Sequence, residues 1–157
     1  MRTTMPPKQN DPAPDFSLPA EDGSIVRLGD LRGQRVILFF YPRADTPGCT
    51  IEACEFRDMT PQIQERGAVV LGLSPDTVED VRKFREKFHL PYRLLADADH
   101  SVAESYGVWK EKSNFGRNYW GVERTTFLVD EEGKIARVYE KVNPEGHAAG
   151  VLGDLRV

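Results

Sequence analysis

The chain has 157 residues, 39% hydrophobic and 29% charged, an ordinary balance for one globular domain that can bury a core without disulfides or metals. Its net charge is −4 with a pI near 5.4 and no basic block, which argues against nucleic acid as the main partner because phosphate binding rests on clustered Lys and Arg. The longest apolar runs, such as VILFFY, fall well short of the roughly 20 residues that span a bilayer. No membrane partner is therefore expected. The opening MRTTMPPKQNDPAPDF has no apolar signal-like core, so the cytoplasm is the expected location. Structural disulfides are rare there, and the two cysteines, Cys49 and Cys54, need another explanation.

Residues 1–12 read as a flexible, proline-rich lead-in, and residues 13–157 as a single domain. FSLPAEDGSIVRL, residues 16–28, predicts two short extended pieces around an Asp-Gly turn. Val36–Tyr41 and Ala68–Leu73 are continuous apolar runs suited to buried central strands. A helix is expected from about Pro47, broken at Thr60-Pro61 by a second cap-and-proline start. Ser74-Pro75-Asp76 should open the next helix, with Val78, Val81, Phe84 and Phe88 on its apolar face and Pro91 beyond its end. Tyr92–Leu95 reads as extended, and His100–Tyr106 as a short helix stopped by Gly107. The charged stretch KEKSNFGRNY between Trp109 and Trp120 reads as a surface loop, with Trp120 a candidate for lining an approach to the site. Thr125–Asp130 and Lys134–Glu140 predict a hairpin. Asn143-Pro144-Glu145 should cap a last helix weakened by Gly146, Gly150 and Gly153. This order predicts an α/β thioredoxin-like fold: a central mixed β-sheet flanked by helices, with an N-terminal hairpin extension.

The informative stretch is FFYPRADTPGCTIEACEFRD, residues 39–58. The chain leaves a central strand at Tyr41-Pro42 and enters a helix at Thr46-Pro47, and functional sites gather at the carboxyl ends of such strands. Thr46 is a good N-cap residue and Pro47 suits the first helical position. Cys49 then sits in the first turn, where free N–H groups and the positive end of the helix dipole favour an anion, here a thiolate. Gly48 removes a side chain beside the sulfur and should let a small substrate approach. Every neighbour fits an activated, reachable sulfur. Glu52, one turn on, would oppose a thiolate unless an arginine intervenes. Arg124, just ahead of TTFLVD, is the first choice, and Arg43, flanking the opening with Pro42, is the local alternative.

Cys54 lies five residues beyond Cys49. In an intact helix that separates the Cα atoms by roughly 8–9 Å, whereas a disulfide needs about 4.4–6.8 Å. Either Cys54 is a plain core residue, or the helix unwinds during use. Zinc needs about four ligands, and the only other soft candidates, His89, His100 and His147, show no paired spacing. These histidines are assigned no role. No P-loop or G-x-G-x-x-G indicates a nucleotide, and no cofactor or metal is expected. A C-x-x-C oxidoreductase on the same fold fits poorly, since four residues separate the cysteines. A non-catalytic redox sensor stays open.

Pro42, Thr46 and Cys49, in FYPRADTPGCTIEAC, resemble the active-site signature of peroxiredoxins, and the following Cys54 resembles the bacterioferritin-comigratory, or Q-type, subgroup. The likeness extends from about Ala13 through APDFSLPAEDG, the middle segment from SPDTVEDVRKFREKF to ESYGV, and GVERTTFLVDEEGKI. It implies thiol-dependent reduction of hydrogen peroxide and organic hydroperoxides. Cys49 would be the peroxidatic cysteine, forming a sulfenic acid. Thr46 would hydrogen-bond the reacting oxygens, Pro42 shield the sulfur, Arg124 orient and stabilise the thiolate, and Glu52 hold that arginine. Cys54 would resolve the sulfenic acid as an intramolecular disulfide, recycled by thioredoxin or a similar dithiol. The internal cysteine pair favours a monomer.

Overall fold

A computed structural model describes residues 5–155; Met1–Thr4 of the expected lead-in, and Arg156 and Val157, lie outside the described residues. A five-stranded sheet runs in the order β5-β4-β3-β8-β9, built from β3 (Arg35–Phe40), β4 (Ala68–Ser74), β5 (Arg93–Ala96), β8 (Thr125–Val129) and β9 (Ile135–Tyr139). Strands β3, β4 and β5 are parallel, whereas β8 and β9 are antiparallel to their neighbours. The sheet is thus mixed, with the antiparallel hairpin at one side, as expected. β1 (Ser17–Pro19) and β2 (Ile25–Arg27) form the N-terminal hairpin around Asp22-Gly23, where Gly23 has φ +83°.

The uninterrupted apolar run of β3 is explained by burial on two faces. Ile37, Phe39 and Tyr41 point into one core with α1 (Pro47–Glu65), α2 (Val78–Phe88) and α4 (His147–Asp154). Val36, Leu38 and Phe40 point into the other, packed with the N-terminal hairpin, α3 (Ser101–Ser105) and Val122. Covering both faces leaves no position where a polar side chain could reach water, so strict alternation disappears. Asn10 donates its N–H to the Ile135 carbonyl and Ile135 donates to that of Asp11, so backbone pairing begins ahead of Ala13.

Four boundaries differ from the sequence-based expectation. α1 runs unbroken for 19 residues through Pro61. An interior proline removes one helical bond and costs about 3 kcal/mol, but Phe56 and Ile63, both at 0% exposure, bury the surrounding turns. The Thr60 hydroxyl donates to the Phe56 carbonyl at 2.8 Å. α2 begins at Val78, capped by Thr77, whose Oγ1 accepts from the Asp80 N–H; Ser74 instead ends β4. α4 begins at His147 with Gly146 (φ +80°) before it, because Asn143 Oδ1 accepts from the Glu145 N–H and holds a turn there. Finally, KEKSNFGRNY is no loop: β6 (Trp109–Asn114) and β7 (Arg117–Val122) pair in register as a hairpin. Its outer half is solvated on both sides, so hydrophobic periodicity could not reveal it.

Two glycines make opposite demands. A Cβ on Gly72 would sit 2.8 Å from Leu94 Cδ2 and 2.9 Å from Phe39 Cζ, atoms of fully buried side chains with nowhere to move. A Cβ on Gly150 would meet nothing within 4 Å. Gly72→Ala should therefore destabilise the fold by about 1–3 kcal/mol, while Gly150→Ala should stabilise it by roughly 0.5–1 kcal/mol through helix propensity. Thermal unfolding followed by circular dichroism checks both signs.

Candidate active site

β3 delivers the chain to Tyr41 at the carboxyl edge of the sheet, and the connection to α1 is pinned from three directions. The Tyr41 N–H donates to the Leu73 carbonyl, and the Ala44 N–H donates to Asp76 Oδ2 at 2.8 Å. Asp45, at φ +61°, pairs with Lys87 at 2.9 Å. Thr46 occupies the N-cap position and Pro47 the first helical position, which puts Cys49 in the first turn. Register supplies the next group. Phe40 of β3 faces Thr125 of antiparallel β8, so Arg124 arrives at the same sheet end, beside the start of α1.

There the guanidinium of Arg124 bridges two side chains of α1. Its Nη1 donates to Glu52 Oε1 at 2.8 Å and its Nη2 to Cys49 Sγ at 3.4 Å. Cys49 and Glu52 are three residues apart and therefore share a helix face. Glu52 is at 0% exposure, and its second oxygen has no hydrogen-bond partner in the described structure. Burial pushes the Glu52 carboxyl up to about 7, against the opposing pull of Arg124. Arg124 itself is held well protonated by Cys49 and Glu52 despite its own burial.

The neighbours take positions that the sequence did not disclose. The Thr46 hydroxyl makes no cap bond; it donates to the Arg43 carbonyl at 2.8 Å. Arg43 is exposed and contributes that carbonyl, while Pro42 is half-buried at the strand end. The space left by Gly48 is occupied, since a Cβ there would lie 3.1 Å from Arg124 Nη2 and 3.4 Å from Pro144 Cγ. The absent side chain admits the guanidinium. Cys49 is only 1% exposed, so the expectation of an openly reachable sulfur is not met in this conformation; Arg124 and Pro144 cover the first turn. Cys54 is a free, half-buried thiol on intact α1, and burial raises its pKa.

Two further groups approach the site. Lys112 of β6 lies within electrostatic range of Arg124 and Cys49, and its pKa is lowered first by burial and then by Arg124. Lys112 faces Tyr119 across the hairpin, and Trp120 lies on the opposite face with Trp109. Trp120 therefore does not share the side turned toward Cys49. The useful sequence signal was Asn-Phe-Gly-Arg between two stretches of equal length, a turn dipeptide ending in glycine. His147 meets Thr126 Oγ1 at 2.8 Å and packs edge-on against Phe56 and Tyr139. Burial, with Arg124 nearby, lowers its pKa to about 4, so it is neutral at pH 7.

The AhpC/TSA family matches residues 9–138. A putative peroxiredoxin bcp of Coxiella burnetii is 52% identical over 91% of this chain and 95% of its own length. Peroxiredoxin Bcp of Escherichia coli is 46% identical over 96% and 97% respectively. Among solved structures, a mutant of Xylella fastidiosa PrxQ superposes with a TM-score of 0.90 at 31% identity, covering 95% of each chain. Bacterioferritin comigratory protein of Xanthomonas campestris, studied for its alkyl peroxide reduction activity, superposes with a TM-score of 0.85 at 34% identity, covering 89% of each. With Cys49, Arg124 and Glu52 assembled at the helix start, the chain belongs to the AhpC/TSA family, as a peroxiredoxin of the Bcp type.

Proposed function

We propose that Cys49 is the peroxidatic thiol of this thiol-dependent peroxidase and Cys54 its resolving partner, acting on hydrogen peroxide and organic hydroperoxides. The observation that carries the assignment is the Arg124 guanidinium, 3.4 Å from Cys49 Sγ and anchored at 2.8 Å to buried Glu52. A fixed cation against a first-turn sulfur stabilises charge moving toward the leaving oxygen.

The thiolate attacks the terminal peroxide oxygen. An S–O bond forms, the O–O bond breaks, and the departing alkoxide or hydroxide takes a proton and leaves as alcohol or water. Thr46 and Pro42 bound the approach from the strand end. The Cys54 thiolate then attacks the sulfenic sulfur, the S–S bond forms, and the expelled hydroxide leaves as water. A dithiol such as thioredoxin donates two electrons to restore both thiols by exchange. Both cysteines belong to one chain, which supports a monomer, and a reducing cytoplasm would supply the dithiol.

Resolution requires the helix start to open. The first turns of α1 are held by the Tyr92 hydroxyl, which donates to the Ala53 carbonyl at 2.6 Å, and by Glu55 Oε1, which accepts from the Gly146 N–H at 2.9 Å. These bonds break when Cys54 reaches Cys49. The same opening uncovers a sulfur that is otherwise 1% exposed.

One equivalent of hydrogen peroxide should remove two hydrogens from the mass of the reduced wild-type protein. Cys54→Ser should instead gain one oxygen, and Cys49→Ser should show no fast change. Absence of any rapid change in wild type would sink the peroxidase assignment of Cys49. Amide exchange over residues 47–55 should accelerate in the oxidised protein; equal protection in both forms would refute the unwinding step.

Glu52 adds a pH dependence. Its proton leaves at about pH 7 in the folded protein, against an ordinary 4.5, so between those values the folded state binds more protons than the unfolded one. The contribution of this group to stability is therefore present in full below about pH 4.5 and is lost as pH rises toward 7. Relative to Glu52→Gln, wild type should lose on the order of 3 kcal/mol across that window. Denaturant titrations at a series of pH values measure the difference.

A further inference from the structure

We propose that the β6–β7 hairpin is the docking arm for the dithiol protein that reduces the oxidised enzyme, and that this partner carries an acidic rim beside its thiols. The proposal rests on the peroxidase reading above and adds the surface and the chemistry of the partner.

The hairpin turns at Phe115 and Gly116, with φ of +52° and +77°. Positive φ at both central positions defines a tight hairpin turn that selects Asn, Asp or Gly at the first of them. A bulky aromatic there is strained. Phe115 is nevertheless present, and it is 97% exposed, so no packing among the described residues offsets the strain. Behind it, Tyr119 is 47% and Trp120 37% exposed. Asn114, Phe115, Arg117, Asn118 and Tyr119 line a shallow recess of about 410 Å³. Aromatic rings with arginine are the composition that protein interfaces concentrate at their centres.

Charge sets the sign of the partner. Lys110, Lys112 and Arg117 stand against Glu111 on a chain of net charge −4. Lys110 is paired with Glu123 at 2.7 Å, whereas Lys112 and Arg117 have no ion pair among the described residues. Position sets the partner's task. Lys112 is within electrostatic range of Cys49, and β7 ends two residues before Arg124. Phe115 lies about 10 Å farther along the strand than Lys112. An interface of about 800 Å² per partner has a radius of roughly 16 Å, so a protein docked around Lys112 also covers Phe115. Tyr119 and Trp120 lie on opposite faces of the ribbon, so a flat lipid surface cannot take both, which favours a protein over a membrane. Once docked, a partner thiolate attacks one sulfur of the Cys49–Cys54 disulfide, and its second thiol resolves the mixed disulfide. Two electrons pass to the enzyme, and the partner leaves as its own disulfide.

Steady-state peroxide reduction supported by thioredoxin, its reductase and NADPH, compared with reduction supported by dithiothreitol, tests the proposal on Phe115→Asn and Arg117→Glu. The KM for thioredoxin should rise at least fivefold in each, with dithiothreitol-supported turnover unchanged. Phe115→Asn should also raise Tm, because asparagine suits the turn. An unchanged thioredoxin KM in both variants overturns the proposal, as does an equal loss with dithiothreitol. Hairpin-dependent binding to phosphatidylglycerol vesicles with an unchanged KM assigns the arm to a lipid surface and likewise overturns it. Wild type that turns over on dithiothreitol but not thioredoxin removes this partner and leaves the peroxidase; turnover with neither removes the peroxidase reading itself.

Discussion

A single guanidinium organises the site. Among the described residues, Arg124 is the only positive charge directly bonded to either Cys49 or Glu52, and it is bonded to both. At Glu52 this cation does not fully offset burial. Its pairing with Arg124 is short, yet burial still holds its carboxyl near 7. A free surface glutamate with the same partner would stay ionised. The exclusion of water therefore sets the protonation of Glu52, and water is excluded because α1, α4 and the sheet meet there. Antiparallel pairing of β3 with β8 sets where Arg124 emerges, and the absent Cβ of Gly48 sets how close its guanidinium comes to the helix.

The proposed chemistry asks α1 to be stable and to open, and the helix divides its anchors accordingly. Beyond Cys54, the Arg57 guanidinium donates to the Phe88 carbonyl at 2.9 Å, and Arg66 donates to the Leu152 carbonyl at 2.6 Å. With Phe56 and Ile63 fully buried, this half has strong reasons to stay folded. The half before Cys54 is held by Tyr92, whose hydroxyl donates to the Ala53 carbonyl, and by Arg124, which donates to Cys49 and Glu52. The proposed unwinding needs no helix break to stop it, because the anchors beyond Cys54 hold the rest of α1. Pro61 sits within the retained half, where its missing N–H weakens one bond without releasing the turn.

The sequence carried the strands and the cysteine loop clearly because burial dominates there. A continuous apolar run such as VILFFY has one good solution, and Thr-Pro-Gly-Cys after it marks a helix start. Arg124 was legible for a different reason: an anion beside Glu52 demands a cation, and Arg124 stands just ahead of the apolar run TTFLVD. What failed was set by long-range contact. Pro61 looked like a boundary because local propensity cannot see Phe56 and Ile63 buried on either side. The β6–β7 hairpin looked like a loop because a solvated ribbon has no apolar face to count. The cover over Cys49 was invisible because Pro144 meets Gly48 from nearly a hundred residues away.

Gly48 and Phe115 show two ways in which a residue can contradict its local backbone. Gly48 sits in a helical turn, where alanine would be intrinsically better, and the reason is found inside the molecule, in an Arg124 nitrogen 3.1 Å from the position a Cβ would take. Phe115 sits in a turn where asparagine would be intrinsically better, and no contact among the described residues supplies a reason at 97% exposure. Local strain that internal packing explains belongs to the fold. Strain that it does not explain points outward, and Lys112 of the same hairpin lies within electrostatic range of Cys49.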